Sequence, residues 1–276
     1  EDVKLLPSIC ISCMTYTIMG STMYDAQADT ISVDDISVKN QIALRRLQRN
    51  DAVEAIEVLH MGDAYYEDED EEGFTDYCPE GAYDMGWLGY FIGKNDHLEK
   101  LVIEPFTPTT GRVTDVLRPF FRGVSNNKSI REIQLYDTDL LRGDFFTMLH
   151  SFFQNNHNLT KITIAGCEFG DEGCSLFALA IRNRTKKFLQ HVDLQNNNNV
   201  SEEGMVDIIT ALSLHPYLNY LDLDGNRLRK NACVALATLL RCSATGLQNL
   251  GIYSANVLQH LDLSSNEIND EGIEAL

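Results

Sequence analysis

Residues 218–228 read Leu-Asn-Tyr-Leu-Asp-Leu-Asp-Gly-Asn-Arg-Leu, and residues 258–268 read Leu-Gln-His-Leu-Asp-Leu-Ser-Ser-Asn-Glu-Ile. Both place apolar residues at positions 1, 4, 6 and 11 and asparagine at position 9. Working outward, the same L-x-x-L-x-L spacing recurs at Leu98-Leu101-Ile103, Ile130-Ile133-Leu135, Leu159-Ile162-Ile164, Leu189-Val192-Leu194 and Leu247-Leu250-Ile252, with a degenerate copy at Val53-Ile56-Val58. First positions from Leu98 onward are separated by 32, 29, 30, 29, 29 and 11 residues, so a period near 29 organises the chain.

Positions 4 and 6 are two residues apart and share one face of a short strand. A turn follows, then a helical pattern: Met205, Ile208, Ile209 and Leu212 keep i, i+3, i+4, i+7 spacing, as do Cys174, Phe177, Ala178 and Ile181, and Cys233, Leu236, Ala237 and Leu240. One strand and one helix cannot bury an apolar face alone. Stacked units can, which predicts an α/β solenoid with parallel strands on one side and helices on the other. The 11-residue interval between Leu247 and Leu258 is too short for a helix to return across, so a deletion or a lost helix is expected there.

The strings starting at Leu218, Leu258 and Leu159 (LTKITIAGCEF) resemble the leucine-rich repeat L-x-x-L-x-L-x-x-N/C-x-L. The period, with Asp171-Glu172-Gly173-Cys174 echoed at Glu202-Glu203-Gly204-Met205 and Asp270-Glu271-Gly272-Ile273, is similar to the long-repeat, ribonuclease-inhibitor-like subtype. That resemblance implies a horseshoe with its strands on the concave side; it is specific for fold and nearly silent about activity. Position 9 holds Thr138, Cys167, Asn197, Asn226 and Asn266. A polar side chain there is expected to bond backbone groups that the turn leaves unpaired and to link adjacent coils, its loss costing about 1–2 kcal/mol.

Three regions are expected: a disordered or misdelimited extension over 1–37, a cap-like region over 38–97, and the repeats over 98–276, truncated at the C-terminal end. The cap-like region starts with an amphipathic helix over Val38 to Arg49 and contains an insertion, Asp63 to Asp84, with ten acids and no Lys or Arg. Charge at that density favours a solvated loop. Asp68, Asp70, Glu72, Gly73 and Asp76 fall at positions 1, 3, 5, 6 and 9 of a calcium loop, but Pro79 stands where the bidentate Glu belongs, so no specific calcium site is expected. Trp87, in a stripe with Met85, Leu88, Phe91 and Ile92, reads as core. The start at Glu1 and the stop at Leu276 read as a fragment.

The 276 residues carry 41 Asp and Glu against 22 Lys and Arg, a net charge of −19. Nucleic acid is disfavoured as a partner, because phosphate neutralisation needs clustered cations. No run is long and apolar enough to span a bilayer. Seven scattered cysteines make no disulfide framework and point to a reducing, cytoplasmic setting; Cys10-Ile-Ser-Cys13 is a lone CxxC with no second pair, so neither metal nor cofactor is expected.

Residues alternating with the buried ones line the concave side: Glu57, Lys100, Glu104, Glu132, Tyr136, Lys161, Thr163, His191, Asp193, Tyr220, Asp222, Asp224, Asn249, Tyr253, His260 and Asp262. They read as a ribbon of acids interleaved with Tyr and His that suits a basic protein partner. The expected contact set is Tyr136, His191, Asp193, Tyr220, Asp222, Asp224, Tyr253, His260 and Asp262. The two H-x-D frames lack a nucleophile, a phosphate loop or H-E-x-x-H, so a non-catalytic scaffold, adaptor or inhibitor is expected rather than an enzyme. Two alternatives stay open. A GTPase activator of the Ran-activator type shares the long-repeat solenoid, and a receptor ectodomain would use the sequons at Asn127, Asn158, Asn183 and Asn199.

Overall fold

The structure is a computed structural model that describes residues 22–58, 74–104, 113–137, 145–167, 170–184, 188–245 and 258–276. Three helices open it, α1 (Thr22–Gln27), α2 (Val33–Ile36) and α3 (Gln41–Gln48), followed by strands β1 (Ala55–Val58) and β2 (Phe74–Tyr77). Helix and strand then alternate: α4 (Ala82–Lys94), β3 (Lys100–Ile103), α5 (Val113–Val124), β4 (Glu132–Tyr136), α6 (Phe145–Asn155), β5 (Lys161–Ala165), α7 (Gly170–Arg182), β6 (His191–Asp193), α8 (Glu202–Leu212), β7 (Tyr220–Asp222), α9 (Lys230–Thr245), β8 (His260–Asp262) and α10 (Asp270–Ala275).

All neighbouring strands are parallel, in the order β2-β1-β3-β4-β5-β6-β7-β8. Repeat position 4 forms one unbroken row, Ile56, Leu101, Ile133, Ile162, Val192, Leu221 and Leu261. The first six are fully buried against the helices. Phe120, Phe121, Phe152, Phe153 and Phe177 fill the space behind them, Phe153 and Phe177 meeting edge to face at 5.1 Å. Consecutive helices from α4 to α10 pack side by side. Helices need about 8–10 Å between axes and strands only about 4.8 Å, so pairing them one to one curves the stack with the sheet inside. The α/β leucine-rich solenoid is therefore the fold.

The turn after each strand has a common geometry. Asp137, Gly166, Asn196, Gly225 and Ser265, all at repeat position 8, adopt positive φ between 38° and 65°. Glycine and Asn/Asp tolerate that region best, which accounts for four of the five. The reversed backbone presents carbonyls to position 9. Asn197 Nδ2 donates to Ile164 O and Leu194 O at 2.8 Å and to Gln195 O at 3.2 Å, while its Oδ1 accepts from Cys167 N at 2.9 Å. Asn226 repeats this on Leu194 O and Leu223 O, accepting from Asn197 N, and Asn266 does so on Leu223 O, Leu263 O and Ser264 O. Cys167 Sγ contacts Ala165 O at 3.2 Å. Thr138 lies outside the described residues.

Four expectations are corrected. First, the Leu247 triplet is no rung between Leu218 and Leu258: β7 pairs directly with β8, Leu221 opposite Leu261, and the 16-residue α9 occupies that coil. The coil is longer than its neighbours rather than shortened, and residues 246–257, which hold the triplet and Tyr253, lie outside the described residues. Second, the segment 1–37 is structured over its described part, 22–37. Tyr24, Val33 and Ile36 are buried, and Tyr24 packs edge to face on Trp87 at 4.8 Å.

Third, the acidic segment is not loop throughout. Phe74–Tyr77 joins the sheet as its outermost strand, and Asp84 is buried at the start of α4, its carboxylate accepting from Glu80 N, Gly81 N and the Tyr77 hydroxyl. Burial holds the Asp84 carboxyl above the usual carboxylate range, against the pull of those donors. Asp76, ninth in the calcium-loop pattern, sits in β2, where its backbone is committed to a ladder; the other four pattern positions lie outside the described residues. Fourth, the helix expected over 38–49 runs from Gln41 to Gln48, with Ala43, Leu44 and Leu47 facing inward and Val38 left outside, 70 % exposed.

Candidate functional site on the concave sheet face

The concave face carries two rows set by strand register. The first runs Lys100, Glu132, Lys161, His191, Tyr220 and His260; the second runs Val102, Gln134, Thr163, Asp193, Asp222 and Asp262. Acids and aromatics are thus segregated, not interleaved along the whole sheet. Over β3 to β5 the charges alternate and pair: Glu132 lies 2.9 Å from Lys161 Nζ and 3.7 Å from Lys100 Nζ and accepts from the Gln134 amide, while Val102, Gln134 and Thr163 in the second row are buried. The second row carries Asp76 and Glu57 on β2 and β1, and three carboxylates stand side by side over β6 to β8.

Parallel in-register pairing puts identical repeat positions side by side, and here it stacks rings. His191 lies flat on Tyr220 with centroids 3.8 Å apart and planes 8° apart; Tyr220 lies flat on His260 at 4.2 Å and 6°. Beside the rings runs the carboxylate row. Asp193 Oδ1 accepts from Gln195 N, Asp222 Oδ1 from Asp224 N and Asp262 Oδ1 from Ser264 N, so each carboxylate is steered by the backbone two residues on. The Tyr220 hydroxyl donates to Asp222 Oδ2 at 3.3 Å. Asp193 and Asp222 are each only 9 % exposed. Burial first, then the neighbouring Asp222, raises the Asp193 carboxyl. Burial and the adjacent acids raise the Tyr220 phenol as well.

Of the other expected contact residues, Tyr136 is half-buried across the sheet and donates to Gln134 Oε1 at 3.1 Å; its phenol is pushed up by burial and then by Asp193. Asp224 ends the β7 rung with a buried Oδ1 that accepts no hydrogen bond among the described residues. The full ring stack is not legible in the sequence, where the Leu247 triplet stands between Tyr220 and His260.

The His191 imidazole is pushed down to about 4, chiefly by burial and then by Lys161. The folded state therefore binds this proton less tightly than the unfolded chain, whose histidines titrate near 6.5. Stability present above pH 6.5 is lost as pH falls from about 6.5 to about 4. With the ring half exposed and screened, we expect about 1–2 kcal/mol over that window. Urea midpoints at pH 7 and 4.5 for the native chain and His191→Gln test this, the variant showing the flatter change; equal slopes would assign the acid sensitivity elsewhere.

A second polar ladder, at the opposite ends of the strands, also escaped the sequence reading. Asn95, Asn127, Asn156 and His215 each stand three residues before a repeat's first apolar position, and all are buried. Asn127 donates to Ile92 O and Asn95 O and accepts from Ser129 N and Ile130 N. His215 Nε2 lies 3.2 Å from Ile181 O. In the α7–β6 junction the buried Arg184 donates to Phe153 O and Leu159 O, and burial pulls its guanidinium down to about 10. Asn127 is fully buried with its amide engaged, so that sequon presents no acceptor nitrogen to a glycosylating enzyme.

A leucine-rich repeat family model matches residues 155–178 and 254–276. The chain carries leucine-rich repeats. It is similar to "NACHT, LRR and PYD domains-containing protein 4C" of Mus musculus, 29% identical over 161 residues, which is 58% of this chain and 15% of that protein's length. Among solved structures it is similar to the actin-binding site 2 of leiomodin-1 (TM-score 0.41, 13% identity, 59% of this chain and 82% of that one). An internalin from Listeria monocytogenes is another such structure (TM-score 0.37, 14% identity, 68% of this chain and 48% of that one). The leucine-rich chain thus spans about one-seventh of the curated relative's length. Among the described residues, no helix is long and apolar enough to cross a membrane.

Proposed function

We propose that this leucine-rich chain is a protein-binding scaffold, and that its contact surface is the concave face of rungs β6 to β8. The carrying observation is the pairing of a three-ring stack with a row of three carboxylates. Rings held flat on one another lose little freedom when a partner covers them, which favours rigid contact area. Among the described residues no salt bridge reaches Asp193, Asp222 or Asp262, in contrast to Glu132, so these charges are available to a cationic partner. The partner's expected chemistry is basic.

The test is capture from native lysate by the full chain, by a charge-neutral variant (Asp193, Asp222 and Asp262 each to Asn) and by a charge-reversed variant (Asp193, Asp222, Asp224 and Asp262 each to Lys), after circular dichroism shows all three folded. Basic proteins are expected on the native bait at low salt, diminished on the neutral variant, lost on the reversed one, and weakened by added salt. Identical capture by all three baits would remove the concave face from the reading.

A further inference from the structure

We propose that His260, Asp222 and Asp262 form a binding site for one divalent transition cation of the zinc class. One ligand atom from each lies within 4.8 Å of the other two. His260 and Asp262 project from the same face of β8, two residues apart, and Asp222 stands opposite Asp262 on β7. This is a mixed nitrogen and oxygen donor set rather than a patch of acids. One neutral imidazole and two carboxylates neutralise a divalent charge and suit zinc, cobalt or nickel, whereas calcium and magnesium prefer oxygen alone.

The neighbouring residues hold the ligands as outer partners of a metal site do. Tyr220 backs the His260 ring face to face and donates its hydroxyl to Asp222. The ring nitrogens of His260 make no hydrogen bond among the described residues, so a lone pair is available without breaking one. Ligand atoms around zinc sit about 3.3 Å apart in a tetrahedron, so the three need close by no more than roughly 1.5 Å. In-plane sliding of the exposed His260 ring over Tyr220 and rotation of the half-buried Asp262 supply that movement while Asp222 stays fixed. A cation there relieves the mutual repulsion of adjacent carboxylates, and its open side leaves coordination positions to water or to a partner's donor.

Zinc titration of the full chain by calorimetry, with no partner present, tests the site apart from the scaffold reading. One equivalent is expected to bind, and His260→Gln or Asp222→Asn is expected to weaken binding at least about tenfold. His260→Gln alters an exposed ring, so it stays informative even if Asp222→Asn folds poorly. Cobalt(II) in place of zinc is expected to give a spectrum without thiolate charge-transfer bands, which separates this site from the cysteines. Three results would each overturn the proposal: unchanged affinity in His260→Gln, thiolate bands in the cobalt spectrum, or no saturable binding up to about 1 mM zinc.

Discussion

Gly89→Leu is expected to unfold the N-terminal rungs, with a loss of more than about 3 kcal/mol. Helices α4 and α5 touch backbone to backbone. A Cβ placed on Gly89 would stand 2.2 Å from Phe120 O and 2.7 Å from its Cα; one on Gly123 would stand 2.2 Å from Gly89 C, and one on Gly93 2.3 Å from Gly123 O. These neighbours are main chain and cannot swing aside as a side-chain tip can. Separating the helices would open the layer filled by Trp87, Phe120 and Phe121, all fully buried. Because each rung is stabilised chiefly by its neighbours, damage here removes support from β1 and β3 together. Urea unfolding followed by circular dichroism measures the loss. Gly81→Ala is the control, since a Cβ there meets nothing within 4 Å and the change should stay within about 0.5 kcal/mol. A Gly89→Leu midpoint equal to the native one would show that the helices can part at no cost.

Asn197→Leu is expected to cost at least about 3 kcal/mol, above the 1–2 kcal/mol that a single buried hydrogen bond suggests. The structure raises the figure because one amide serves four backbone groups: three carbonyls on two coils and the Cys167 N–H. Leucine matches the volume and satisfies none of them, and the site is sealed, Asn197 being 0% exposed. The substitution keeps the backbone N–H that donates to Asn226 but removes every bond to Cys167 and Ile164 on the preceding coil, so amide exchange should accelerate in the turns on both coils. Exchange confined to residues 195–199, with an unchanged unfolding midpoint, would show that the ladder is ornamental to stability.

The two substitutions differ in how visible their targets were. Asn197, Asn226 and Asn266 declared themselves by recurring at position 9, because a side chain that must meet the same carbonyls in every coil is repeated with the coil. Gly89 carries no such mark. Its requirement comes from Phe120 O, 31 residues away, and only the crossing of α4 and α5 creates it. Trp87 lies between: its place in an apolar stripe showed that it is core, but its partner Tyr24 lay in a segment expected to be disordered.

The candidate site divides in the same way. The alternation of strand residues named His191, Asp193, Tyr220, Asp222, His260 and Asp262 as occupants of one face, since side chains two apart on a strand share a face whatever the rest of the fold does. Whether they meet depended on which strands are neighbours. The Leu247 triplet satisfied the local pattern, yet local spacing cannot choose between a rung and a look-alike. Pairing of β7 with β8 makes that choice, bringing Tyr220 onto His260 and Asp222 beside Asp262 across 40 residues of chain. The acidic character likewise looked continuous in one dimension, whereas register sets Glu132 between two lysines and, among the described residues, leaves the acids of β6 to β8 without a salt bridge.

By itself, then, the sequence determined the repeating strand and helix, the faces they bury and the asparagine turns, because these depend on periodicity and on contacts within one or two coils. Tertiary structure alone decided the ring stack, the segregation of charge, the edge strand Phe74–Tyr77 and the glycine crossing. Each of these depends on contacts between strands or helices whose adjacency follows from the packing of the whole stack, a quantity that no local pattern encodes.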